Sequence, residues 1–140
     1  MTIFTQGDKS CYFIHIPRTA GRYVSALFEN SDGVESEYHT WDELFDGVHL
    51  PHLHYPLYNK ICPDNITRIT VVRNPYNKVL SSLKNMNNIY GYNYDSILCD
   101  EFECSKFIFQ EIISNSFHNN WFLPQYKMIS PKTHVWKYEW

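Results

Sequence analysis

Long apolar runs are missing from this chain. No stretch reaches the roughly 20 consecutive apolar residues that a membrane-spanning helix needs. The first ten residues are polar and lack the apolar centre of a signal peptide. The chain therefore reads as cytoplasmic, with no membrane partner. Runs of Lys or Arg are missing too, and the formal net charge is −3 over 140 residues. That excludes the electrostatic footprint of a general nucleic-acid binder but leaves room for a local anion site. Four cysteines, Cys11, Cys62, Cys99 and Cys104, show no C-x-x-C pair. In a cytoplasmic chain they read as reduced, partly buried thiols. The G-x-x-x-x-G-K-[ST] pattern is absent, and with it the Lys and Mg-binding hydroxyl of a P-loop kinase or NTPase. His39, His49, His52 and His54, even with Cys62, match no zinc-ligand spacing, so no metal is expected.

What is present is apolar and aromatic. Hydrophobic residues make up 44% of the chain and aromatics 17%. That fits a globular core rather than disorder. The length suits one domain over residues 1–140, and neither a repeat nor a linker interrupts it. Residues 11–16, Cys-Tyr-Phe-Ile-His-Ile, form a short β-prone run ended by Pro17. Residues 18–21 then turn into a helix, with Tyr23, Val24, Leu27 and Phe28 at helical spacing. Residues 66–72 carry Ile66, Ile69, Val71 and Val72, the near-continuous apolar run of a strand buried on both faces. Asn74 and Pro75 suit the cap and first turn of a following helix. Tyr76, Val79, Leu80, Leu83 and Met86 mark one helical face.

Elsewhere the spacing predicts helical turns over 41–45, capped by Thr40, and over 55–61. Loops are expected at 49–56 and 85–93, a helix over 101–114 and a last strand over 133–138. The repeated strand–helix unit implies an α/β fold with a parallel sheet flanked by helices.

Two loops carry chemistry. In His15-Ile16-Pro17-Arg18-Thr19-Ala20-Gly21 a strand runs into small residues with one cation, and a helix follows. Unpaired N–H groups at such a helix start favour anions. Ala20 and Gly21 let a phosphate come close, Arg18 supplies charge and Thr19 a hydroxyl. In the second loop Arg73 lies at the carboxyl end of a strand, where open α/β sheets bind ligands. Ser81 follows about two helical turns on. Each loop alone also suits an ordinary β–α turn, and the order and spacing of the pair carry the phosphate reading.

Together the two loops resemble the sulfotransferases that use 3′-phosphoadenosine 5′-phosphosulfate (PAPS). Residues 15–21 resemble their 5′-phosphosulfate loop, and residues 72–81, Val-Arg-Asn-Pro-Tyr-Asn-Lys-Val-Leu-Ser, resemble their 3′-phosphate motif. The likeness is to the carbohydrate-type branch, the heparan and chondroitin sulfate enzymes and their bacterial and viral relatives. Residues 121–125 and 136–139 resemble that branch more loosely. The resemblance implies a P-loop NTPase-like sulfotransferase fold, PAPS as donor, PAP as product, no metal and a glycan as acceptor. It implies that Pro17, Arg18, Thr19, Ala20, Gly21 and Arg22 cradle the 5′-phosphosulfate, and that Arg73 and Ser81 hold the 3′-phosphate. Arg18 stands where the family usually has Lys, and Arg22 where it often has Thr or Ser. Lys78 stands where Arg is common, a change expected to matter little. The chain ends at Trp140, directly after Tyr138-Glu139, where relatives continue through further helices, so it reads as a sulfotransferase core short at the C-terminus.

Sulfuryl transfer also needs a base for the acceptor hydroxyl, and His is the usual one near neutral pH. His49, His52 and His54 cluster between the two motifs. The context His54-Tyr55-Pro56-Leu57 favours His54 first and His52 second, while His15 reads as structural. A non-catalytic 3′-phosphonucleotide-binding or partner-dependent module is the main alternative, and a P-loop-type kinase or NTPase the next.

Overall fold

The computed structural model describes residues 2–38, 43–90, 106 and 120–139. Thr2–Gln6 (β1) and Lys9–Ile14 (β2) pair antiparallel, Thr2 opposite Phe13 through Gln6 opposite Lys9. Gly7 turns between them at φ 61°. That is the backbone a Gly-first two-residue hairpin requires. Helix α1 follows at Gly21–Glu29, and Glu35–Tyr38 (β3) returns antiparallel to β1. Leu44–Phe45 (β4) and Val48–His49 (β5) make a small hairpin over Asp46 and Gly47, both at positive φ. A 3₁₀ turn at Leu50–His52 leads into α2 at Tyr55–Tyr58. Thr67–Val72 (β6), the long helix α3 at Pro75–Tyr90 and, after a 3₁₀ turn at Gln125–Met128, Thr133–Lys137 (β7) complete the described elements.

The main sheet has five strands in the order β3-β1-β2-β6-β7. The expected parallel sheet is present in its β2-β6-β7 half, where both pairings are parallel. The other half corrects the expectation: β1 and β3 run antiparallel, so the sheet is mixed. The polar opening of the chain hid β1, whose Thr2 and Phe4 are buried at the alternate spacing a strand imposes. Successive side chains of β2 point to opposite faces of the sheet. Tyr12 and Ile14 enter one core with Leu57 and Tyr58 of α2, Leu123 and Met128. Phe13 enters the other with Phe4, Ile69, Val71 and Val24 of α1. Both faces of the sheet are thus covered.

Three local readings change. Residues 44–45 are strand rather than helix, because Asp46-Gly47 is a hairpin turn that fixes β4 against β5. The loop expected at 49–56 divides into the end of β5, a 3₁₀ turn and the start of α2. The loop expected from residue 85 begins later, since α3 continues to Tyr90. Residues 40–42, 91–93 and nearly all of the helix predicted over 101–114 lie outside the described residues, as do Cys99 and Cys104. Cys11 and Cys62 are free thiols, the first half-buried and the second buried. Among the described residues no helix is long and apolar enough to cross a membrane.

Candidate functional site

The first loop leaves β2 with alternating backbone sign. Arg18 and Ala20 sit at φ 65° and 66°, and the residues between and beside them have negative φ. Such left-handed values are rare outside Gly. Their alternation turns successive N–H groups into one concavity, the backbone nest that holds anions. Ala20 is the N-cap of α1, and its carbonyl takes the N–H groups of Tyr23 and Val24. Among the described residues the N–H groups of residues 18–22 donate to no carbonyl.

Two features hold this backbone. Thr19 is buried, and its hydroxyl donates to the Ile16 carbonyl at 2.8 Å. That corrects the reading of Thr19 as a hydroxyl offered to a ligand: only its N–H faces the concavity's chemistry. Pro17 is buried and has no N–H, so its part is steric. Behind the loop the His15 ring packs against Gly21, where an added Cβ would stand 2.1 Å from the ring. Gly21 is therefore glycine for close packing, not for its φ. His15 lies between Phe13, stacked at 6.0 Å, and His52, edge-on at 5.2 Å. Burial first, then nearby cationic groups including Arg22, lowers its pKa to about 4.

The second loop begins at Arg73. Asn74 caps α3, its Oδ1 accepting from Tyr76 N–H at 3.0 Å. The backbone of Arg73 is clamped by Gln125, whose Oε1 accepts from Arg73 N–H at 2.9 Å while its Nε2 donates to Arg73 O at 2.7 Å. The guanidinium lies 5.4 Å from the Tyr138 ring centroid, and its Nε donates to Glu139 Oε1 at 2.8 Å. Arg73, Asn74, Asn77, Lys137 and Glu139 line a cavity of about 300 Å³.

The two loops meet. Arg18 Nε donates to Ser81 Oγ at 3.1 Å across 63 residues. Arg18 also lies within electrostatic reach of Arg22 and Arg73; burial, then these two like charges, lowers its pKa. Four sequence candidates thus share one cationic region. Among the described residues Ser81 bonds to Arg18 across the motifs and makes no bond to Arg73. The reason is the direction of α3, which carries Ser81 towards the first loop.

The candidate bases separate. His54 caps α2 and lines another cavity, about 440 Å³, with Tyr55, Pro56, Leu123, Tyr126 and Lys127. Its pKa is lowered, chiefly by burial. Asn120, buried and left-handed at φ 63°, directs its Nδ2 to His52 O at 2.9 Å and to His54 Nδ1 at 3.3 Å. With an N–H facing it, Nδ1 accepts, and the neutral ring carries its proton on Nε2. His52 is 3% exposed, and burial pushes its pKa well down. Its enclosure beneath the first loop corrects its candidacy as base, since an acceptor hydroxyl has no path to the ring.

Four residues at the site had no sequence role assigned to them individually. Gln125, Glu139 and Asn120 act through contacts made over 52 to 68 residues of chain. The loose resemblance at 121–125 and 136–139 was the one signal for the first two. Lys78, expected to matter little, is buried and donates to the carbonyls of Trp121 and Leu123. Desolvation lowers its pKa to about 8. Its position fastens α3 to the segment that presents Asn120 and Gln125. Among the described residues no three His, Cys, Asp or Glu side chains gather as a metal site. Comparison of the chain with protein-family models, with curated proteins and with solved structures found no match.

Proposed function

We infer that this chain is a PAPS-dependent sulfotransferase core, transferring a sulfuryl group to a hydroxyl acceptor, with a glycan as the acceptor class. The observation that carries the reading is the Arg18–Ser81 contact, which joins two separately recognisable phosphate motifs into one cationic site. The nest at residues 18–22 and the fork of Arg73 supply two anion-binding elements, which suits a nucleotide phosphorylated at both its 3′ and 5′ positions.

The reaction is an in-line displacement at sulfur. The acceptor oxygen forms the new O–S bond as the bond from sulfur to the phosphate oxygen breaks, and 3′,5′-ADP leaves. Arg18 and the nest N–H groups stabilise the charge that grows on the departing phosphate, and positioning does most of the remaining work. His54 takes the acceptor proton. For that, its Nε2 must be free of hydrogen, so the Asn120 amide turns until Oδ1 accepts from Nδ1–H. The turn gives up both bonds of Nδ2 and sets Oδ1 towards the His52 carbonyl oxygen, so the amide must also swing away from His52 as it turns.

Calorimetry with 3′,5′-ADP on the wild type and on Arg73→Ala tests this. Micromolar binding, weakened about tenfold or more by the substitution, is expected for loss of a charged hydrogen-bonding group. Binding no tighter than millimolar in the wild type ends the PAPS reading. Tight binding without PAPS turnover across a glycan panel points instead to a non-catalytic nucleotide module.

A further inference from the structure

At the opposite end of β6 from Arg73, the side chain of Arg68 is 7% exposed, yet it makes no ion pair among the described residues. Its Nε has no hydrogen-bond partner there. One Nη donates to Asn59 Oδ1 at 3.4 Å, longer than an ordinary N–H···O bond. The Cys62 thiol is a further polar neighbour. Cations this deeply enclosed are normally paired, because leaving water without a counter-charge is strongly unfavourable.

The same guanidinium lines an open cavity of about 380 Å³ between α2 and the turn that precedes β7, with Tyr55, Asn59, Asp64, Pro131 and Lys132. Arg68 and Lys132 outweigh the single carboxylate of Asp64, so the lining is net positive. A bare ion fills little of that volume, and Tyr55 and Pro131 offer apolar wall beside the charge. Tyr55 also lines the cavity that His54 lines.

We propose that this cavity is a second binding site, for a small organic anion. The ligand's oxyanion pairs with the Arg68 guanidinium at the cavity wall, with Lys132 on the solvent side, and its body lies on Tyr55 and Pro131. The site is distinct from the Arg18–Arg73 region and stands whether or not that region binds a nucleotide.

Amide and Arg Nε–H NMR spectra of the full chain, titrated with benzoate and with phenyl sulfate, test the site. The double variant Arg18→Ala/Arg73→Ala is run in parallel to silence the other cationic region. Saturable shifts at Asn59, Arg68 and Lys132 are expected in both proteins. Arg68→Met is expected to abolish them, and Lys132→Ala to weaken binding about threefold, as an exposed charge does. Absence of saturable shifts at these residues overturns the proposal. So does their persistence in Arg68→Met, or an affinity unchanged by Lys132→Ala. Lys132 is exposed, so its variant decides the matter alone if Arg68→Met does not fold. Inorganic sulfate binding as tightly as phenyl sulfate also overturns it, since the ligand's body then contributes nothing.

Discussion

Arg73 and Glu139 hold each other at 2.8 Å, and the second oxygen of the same carboxylate accepts from Asn77 Nδ2 at 2.9 Å. The carboxylate lies beyond the end of β7 and the guanidinium beyond the end of β6, so parallel pairing of the two strands brings them together. The Asn77 bond, with Arg73, lowers the Glu139 pKa, so the carboxylate is ionised across the working pH range. It fixes the Nε edge of the guanidinium and leaves the Nη edge for a ligand.

Glu139→Ala removes that hold without removing the cation. Because an unheld fork loses orientation and not charge, affinity for 3′,5′-ADP is expected to fall about three- to tenfold, less than for Arg73→Ala. Calorimetry on the two variants side by side checks the order. Equal losses would mean that Glu139 contributes more than orientation.

His54→Ala is expected to leave 3′,5′-ADP affinity within about twofold while lowering turnover about 10²-fold or more, the usual contribution of a general base. Asn120→Ala is expected to lower turnover less and to shift the pH dependence of kcat, since Asn120 acts on the His54 tautomer. Nitrogen shifts of the His54 ring identify the protonated nitrogen directly. A ring protonated on Nδ1 in the free protein would reverse the direction assigned to the Asn120 contact.

Gly21→Ala drives a methyl into the His15 ring. The ring is pinned by Phe13 and His52, so relief requires the loop to move. About 1–3 kcal/mol of stability is expected to be lost, as for other overpacked sites. In His15→Ala the space is already open, so the double variant should recover part of that loss. Urea unfolding of all four proteins gives the coupling energy. Strict additivity would show that the packing of His15 on Gly21 is not what excludes a side chain at position 21.

His15 titrates near 4 in the folded chain and near 6.5 when unfolded. Between those values the unfolded state binds more protons, so folding stability falls as pH drops from 6.5 to 4. A shift of this size corresponds to about 3 kcal/mol from His15 alone. His52, lowered for the same reason, acts in the same direction. Urea midpoints at pH 7 and 4.5 should show the drop, and His15→Leu should flatten it. A midpoint independent of pH in this window contradicts the burial of both rings.

Much of the fold can be read along the chain. The apolar runs at 11–16 and 66–72 marked β2 and β6 within two residues at either end, and Asn74-Pro75 marked the start of α3. Burial and turn chemistry are local properties, and both act within a few residues. The strand β1 escaped because half of its alternation is Thr and Gln, which are also common in surface segments. Asp46-Gly47 signals the β4–β5 hairpin, but the neighbouring Trp41 and Phe45 also stand at helical spacing.

The parts of the site are legible along the chain: a small-residue loop with Arg18 after one strand, and Arg73 and Ser81 around the helix that follows another. Which of them meet depends on how the elements pack. The run of α3 gives Ser81 to Arg18, the parallel pairing of β6 with β7 gives Glu139 to Arg73, and the enclosure of His52 removes it from the candidate bases. The two side-chain contacts join residues 63 and 66 positions apart. Their cost in chain entropy is met by the folding of the whole sheet and not by any local preference.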